Sequence, residues 1–154
     1  MQPQEPIPRR AGRVLVIDPA GRVLLLQGFD PARPGSLQWV TIGGGLHDGE
    51  GTAQAALREL WEETGISATA SELAGLVWQR TTEFSFDGVR YRQDEDYYVL
   101  RVGKVQVSLA NLDDIERGTV TGYRWWSRQE LVTTTEAFFP AELPELLRLA
   151  DDAH

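Results

Sequence analysis

The chain has 154 residues and a mass of 17.2 kDa, enough for one domain with a working core, and its 42% hydrophobic and 25% charged residues are ordinary for a soluble globular protein. A formal charge of −8 argues against non-specific binding to a nucleic-acid backbone, though not against phosphorylated small molecules, whose charge a bound metal can offset. With no cysteine, no apolar run near the roughly 18 residues that span a bilayer and no apolar signal core, disulfides, thiolate chemistry and membrane insertion are set aside and a cytoplasmic location is expected.

Residues 1–10 (MQPQEPIPRR) carry three prolines and little apolar content, and read as a flexible tail ahead of one domain over residues 11–151. The runs RVLVID (residues 13–18) and RVLLLQG (residues 22–28), joined by Pro-Ala-Gly, predict a β-hairpin. Both are nearly continuous in apolar residues, so the sheet is expected to be covered on two faces. FDPARPGS (residues 29–36) has loop composition, and LQWVTI (residues 37–42) predicts a short strand delivering the chain into a turn at Gly43, Gly44 and Gly45.

A helix ended by Gly65 follows. On a wheel of about 100° per residue, Ala53, Ala56, Leu57, Leu60, Trp61 and Thr64 share one side, whereas Glu59, Glu62 and Glu63 share the other, with the small residues Thr52 and Ala55 one turn back. Like charges at this spacing repel by about 0.2–0.5 kcal/mol per pair, and acids near a helix C-terminus oppose its dipole. A divalent cation would remove both penalties.

Downstream, residues 73–86 and 89–102 are rich in β-branched and aromatic residues around an Asp87-Gly88 hairpin turn. Residues 103–118 are less regular, with acids at Asp113, Asp114 and Glu116. GYRWWSRQEL (residues 122–131) reads as a strand entering a helical turn with Ser127 as N-cap, and residues 141–150 as an amphipathic closing helix. Among the aromatics, Trp78, Phe84, Phe86, Tyr91, Tyr97, Tyr98, Trp125 and Trp126 offer a stacking platform for a base, although most are expected in the core, as is Trp39.

Gly44, Glu50 and the run Arg58-Glu59-Leu60-Trp61-Glu62-Glu63-Thr64-Gly65-Ile66 fill every fixed position of a signature. In this the chain resembles the Nudix hydrolase family. One departure is Ile42, where members usually carry proline before the double glycine. The resemblance implies an α+β Nudix fold, an α/β/α sandwich with a central mixed β-sheet. It further implies divalent-metal-dependent hydrolysis of a phosphoanhydride in a nucleoside diphosphate derivative, such as a nucleoside triphosphate, a nucleotide sugar or ADP-ribose. Glu59, Glu62 and Glu63 would supply carboxylates for Mg²⁺ or Mn²⁺, and Gly43 a backbone carbonyl. Arg58 would pair with an acid such as Glu50 or Glu59 and fix the loop against the helix, while Glu50 is left with metal or supporting work. The general base is either a signature glutamate or a later acid, Glu95 first and Glu116 behind it. The expected partner is a small-molecule nucleotide, neither nucleic acid nor membrane, with homodimerisation an option that is common in the family. Residues 81–84 (Thr-Thr-Glu-Phe) hold neither the proline nor the tyrosine that marks certain substrate subgroups. The alternative is a non-catalytic Nudix module that binds or senses a nucleotide, against which the three glutamates count.

Overall fold

The computed structural model describes residues 5–152. Its elements in chain order are β1 (Ile7–Ile17), β2 (Val23–Gly28), β3 (Gln38–Gly45), α1 (Thr52–Thr64), β4 (Leu76–Phe86), β5 (Val89–Arg101), α2 (Asp114–Thr119), β6 (Val120–Trp126), α3 (Arg128–Thr133), β7 (Phe138–Phe139) and α4 (Leu143–Asp152). The seven strands form one mixed sheet. β1 lies parallel to β5 from Ile7↔Tyr91 to Ile17↔Arg101, whereas β4–β5, β1–β3, β2–β3 and β2–β6 are antiparallel. Strands apolar on both faces need two layers of cover. One face, with Val14, Val16, Leu24, Leu26 and Ile42, packs on Ala56 and Leu60 of α1; the other, with Leu15, Val23, Leu25 and Val99, packs on Leu131 of α3 and Leu143, Leu146 and Leu147 of α4. The result is the expected α+β sandwich around a mixed sheet. Among the described residues no helix is long and apolar enough to cross a membrane.

Several local expectations are corrected. Residues 1–4 of the expected tail lie outside the described residues, but residues 7–10 belong to β1 and pair in parallel with residues 91–94 of β5. Pro8 is tolerated there because β1 has a partner on one side only until Ala11 meets Gly45. The glycines do not turn. Gly43, Gly44 and Gly45 continue β3 opposite Arg13, Gly12 and Ala11, and the turn falls at residues 46–51.

The buried side of α1 is rotated from the wheel. Thr52, Ala55, Ala56, Leu60, Glu63 and Thr64 are buried, whereas Trp61 is half exposed. The cause lies in β1: a Cβ on Gly12 would sit 1.8 Å from the Thr52 carbonyl oxygen, so the helix backbone presses directly on the strand there. Thr52 and Ala55 therefore face protein, not a clearing. The sequence also gave no sign of α2. Of the eight downstream aromatics only Tyr97 and Trp126 are buried outright; the other six keep partial exposure.

Candidate active site

The end of β3, the turn at residues 46–51 and the second half of α1 meet at one corner, and a single arginine ties them. Arg58 Nε and Nη2 donate to the two oxygens of Glu50 at 2.9 and 3.0 Å, Nη2 also to the Gly45 carbonyl at 2.9 Å, and Nη1 to Glu59 at 2.9 Å and Glu62 at 3.4 Å. Glu50 closes the turn by accepting from the His47 N–H at 2.7 Å. This forked pairing holds the Glu50 carboxyl down at about 2. His47 itself is exposed.

Glu59, Glu62 and Glu116 each bring a carboxylate oxygen within 4.8 Å of the others, all partly buried. Glu116 rides on α2, which is capped by Asp113 accepting from the Glu116 N–H at 2.8 Å. The segment before it is anchored to the C-terminus of α1 by Ser108 N–H on the Thr64 carbonyl and by the Asn111 side chain on the Trp61 carbonyl. Glu63 is bound differently. It is buried and accepts from the Gly43 N–H at 2.8 Å, and its carboxyl also hydrogen-bonds that of Glu116.

Burial, then the neighbouring Glu116 and Glu62 charges, push Glu59 up to about 7 against the pull of Arg58. Burial and the charges of Glu59 and Glu116 raise Glu63 well above the carboxylate range, and burial first raises Glu116 too. Crowded into one half-buried corner, Glu59, Glu63 and Glu116 hold protons more tightly than free carboxyls do, and a bound cation would take the place of those protons. All-oxygen donors of this kind suit a hard divalent ion such as Mg²⁺, so the residues fit the metal that the signature implies.

The other two expected site residues are placed differently. Glu95 is buried in the sheet, where both its oxygens are taken: Arg13 at 3.1 Å and Gln93 at 2.7 Å on one, Arg80 at 2.6 Å and Tyr97 at 3.2 Å on the other. The Arg13 and Arg80 charges outweigh burial and hold it ionised below its ordinary value. It has no oxygen left for a water. The Gly43 carbonyl accepts from Arg13 Nη1 at 3.1 Å, which also reaches the Thr41 carbonyl at 3.2 Å. Arg13 thus relays Glu95 to the same residue whose N–H holds Glu63. A Cβ on Gly43 would lie 2.3 Å from the Gly12 carbonyl, and its φ of 142° is a conformation side chains rarely adopt.

With a glutamate-rich helix locked by arginine onto a glycine strand, the comparison with known families is decisive. The NUDIX domain profile matches residues 7–147. The chain belongs to the NUDIX family. It is 28% identical to an RNA pyrophosphohydrolase of Cereibacter sphaeroides over 87% of this chain and 85% of that one. Over a shorter stretch, 46% of this chain and 45% of the other, it is 39% identical to the dihydroneopterin triphosphate diphosphatase of Escherichia coli. Its fold is similar to a MutT NUDIX hydrolase structure from Burkholderia pseudomallei, with a TM-score of 0.68 at 17% identity, covering 92% and 97% of the two chains.

Sequence reasoning ranked Glu116 second and missed Arg13. Both belong to this corner of the NUDIX fold, Arg13 on β1 and Glu116 on α2. The acidic run at residues 113–116 was visible; its return to α1 depends on backbone bonds that no side-chain pattern announces.

Proposed function

We propose that this NUDIX protein is a divalent-metal-dependent hydrolase that cleaves a phosphoanhydride bond in a nucleoside diphosphate derivative. The observation that carries the reading is the convergence of Glu59, Glu62 and Glu116 oxygens within 4.8 Å beside an arginine-locked glycine strand. The names of the two curated relatives, a pyrophosphohydrolase and a triphosphate diphosphatase, support it. Glu59, Glu62 and Glu116 would hold Mg²⁺ or Mn²⁺, with Glu63 beside them once its proton is displaced. The ion would lower the pKa of an attacking water and neutralise charge on the phosphate oxygens.

The chain's own part is positioning. Arg58 fixes Glu59 and Glu62 relative to the Gly45 carbonyl and, through Glu50, keeps the turn at residues 46–51 from drifting. Gly43, held by Arg13 on its carbonyl and by Glu63 on its N–H, is a fixed point of the site; in this reading its carbonyl serves Arg13. Glu116 takes the role of general base ahead of Glu95. Its carboxyl lies at the cluster, within reach of an attacking water held there, whereas both oxygens of Glu95 are taken. Glu95 acts as a positioning residue through Arg13.

A hydrolysis panel tests the reading. It should hold nucleoside triphosphates, nucleotide sugars, ADP-ribose, dinucleoside polyphosphates and a 5′-triphosphorylated RNA oligonucleotide, each with Mg²⁺ and with Mn²⁺. Turnover of one class is expected, lost on chelation and reduced on the order of 10²–10³-fold in Glu63→Gln, which keeps an acceptor for the Gly43 N–H. Metal-independent nucleotide binding with no turnover of any class would overturn it.

A further inference from the structure

The outermost strand of the sheet leaves one side open. β4 has β5 on one side, and among the described residues no other backbone segment bonds its free side. Natural sheets blunt such an edge with proline, lysine, a bulge or brevity. β7, at the other end of the strand order, is two residues long, and β6 is seven and meets a register shift in β2. From Trp78 to Phe86 β4 has none of these devices: its own register shift comes earlier, between Leu76 and Trp78. The stretch carries two charges, Arg80 and Glu83. Arg80 is turned onto Glu95 at 2.6 Å, and Glu83 is exposed.

The two faces of this stretch differ in chemistry. Trp78 packs on Tyr97, Arg80 bonds Glu95 and Phe84 stacks on Tyr91, so these three share one face with the half-buried Thr82 and Phe86. On the other face Gln79 and Thr81 donate to Asp96 and Asp94, and Glu83 and Ser85 continue the alternation. Two copies related by a twofold axis would pair this strand antiparallel with itself, so that each residue meets one from the same face. A register centred on Arg80 sets Arg80 against Arg80, and one centred on Glu83 sets Glu83 against Glu83; like charges directly opposite oppose pairing. A centre at Thr81 runs into the shift at Leu76 and Trp78. A centre at Thr82 uses the whole regular stretch from Trp78 to Phe86. It sets Trp78 against Phe86 and Arg80 against Phe84 on one face, and Thr81 against Glu83 and Gln79 against Ser85 on the other. These are aromatic, cation–π and hydrogen-bonding pairs, all favourable across antiparallel strands.

We propose that the free edge of β4 is the interface of a homodimer, in which the β4 strands of two copies pair antiparallel about Thr82 and join two sheets into one. The partner is a second copy rather than a foreign strand because this stretch is complementary to itself in the one register that uses its full length. The proposal is independent of the hydrolase reading, since the carboxylates of that site stand on α1 and α2 and not on β4.

Because the chain has no cysteine, one introduced thiol reports whether its position faces itself across the axis. Under mild oxidation Thr82→Cys should give a disulfide-linked dimer, whereas Ser85→Cys, on the same strand and opposite Gln79 of the partner subunit, should not. Sedimentation velocity of the wild-type full chain at about 100 µM should show a species of twice the 17.2 kDa chain mass that dissociates on dilution. Thr81→Glu, which meets Glu83 of the partner subunit twice per dimer, should weaken association about fivefold, and Thr81→Lys should strengthen it by about as much. Damage to the fold would move these two variants in the same direction, and thermal melts of each check it. A wild type that sediments as a monomer at about 100 µM would overturn the proposal. So would Thr82→Cys cross-linking no faster than Ser85→Cys, or the two Thr81 variants associating equally well.

Discussion

At the scale of single residues, the carboxyls of Glu59, Glu63 and Glu116 decide how the protein responds to pH. All three are raised above the ordinary value of 4.5, Glu59 to about 7. Between these values the folded chain holds protons that the unfolded chain has released. Their contribution to stability is thus complete below about pH 4.5 and lost as pH rises through their folded values, about 7 for Glu59. Glu50 and Glu95 are depressed and work in the opposite sense: their contribution is present above the ordinary carboxylate value and lost as pH falls through their folded values, about 2 for Glu50. The metal-free protein should therefore melt at a lower temperature at about pH 8 than at about pH 5, and excess Mg²⁺ should raise the melting temperature at the higher pH and not at the lower. A melting temperature that climbs with pH without metal would contradict this. The glutamates of α1 were legible because their spacing and the fixed positions around them are local. What they do was less so: Glu63 bonds the Gly43 N–H rather than joining Glu59 and Glu62, and Glu116 completes the trio from 53 residues beyond it.

At the scale of elements, two glycines set the geometry of the corner in different ways. Gly65 ends α1 in a left-handed conformation, φ 76°, with its N–H on the Trp61 carbonyl. Gly65→Ala should cost about 1 kcal/mol in urea unfolding and leave the site's chemistry in place. Gly43→Ala meets both a forbidden φ and the Gly12 carbonyl, and should cost about 3 kcal/mol or more and abolish turnover. Equal effects of the two substitutions would show that the Gly43 peptide is not a fixed point. The hairpin at Asp87-Gly88, the Ser127 cap of α3 and the closing helix were readable because turn and cap residues act within a few positions. The burial face of α1 was not. A wheel weighs only the helix's own side chains, and the deciding residue, Gly12, lies on another strand.

At the scale of the whole molecule, Glu95 joins the outer sheet to the site. Its carboxylate neutralises Arg13 from β1 and Arg80 from β4, and Arg13 carries the connection to Gly43. Glu95→Ala would leave two largely buried cations unpaired, and should destabilise the chain by about 3–5 kcal/mol in urea unfolding. An effect below about 1 kcal/mol would mean that the network is a surface feature. The sandwich itself was legible in outline, since apolar strands on both sides of a helix call for cover on two faces. The tail was misread because strand pairing of residues 7–10 is decided by the length of β5, some eighty residues away. The most direct test of the account is Mn²⁺ binding, followed by electron paramagnetic resonance, in wild type, Glu62→Gln and Glu116→Gln. Wild type should bind, and each substitution should weaken binding about tenfold or more. A Glu116→Gln protein that binds Mn²⁺ as wild type does would contradict the claim that Glu59, Glu62 and Glu116 form one metal centre.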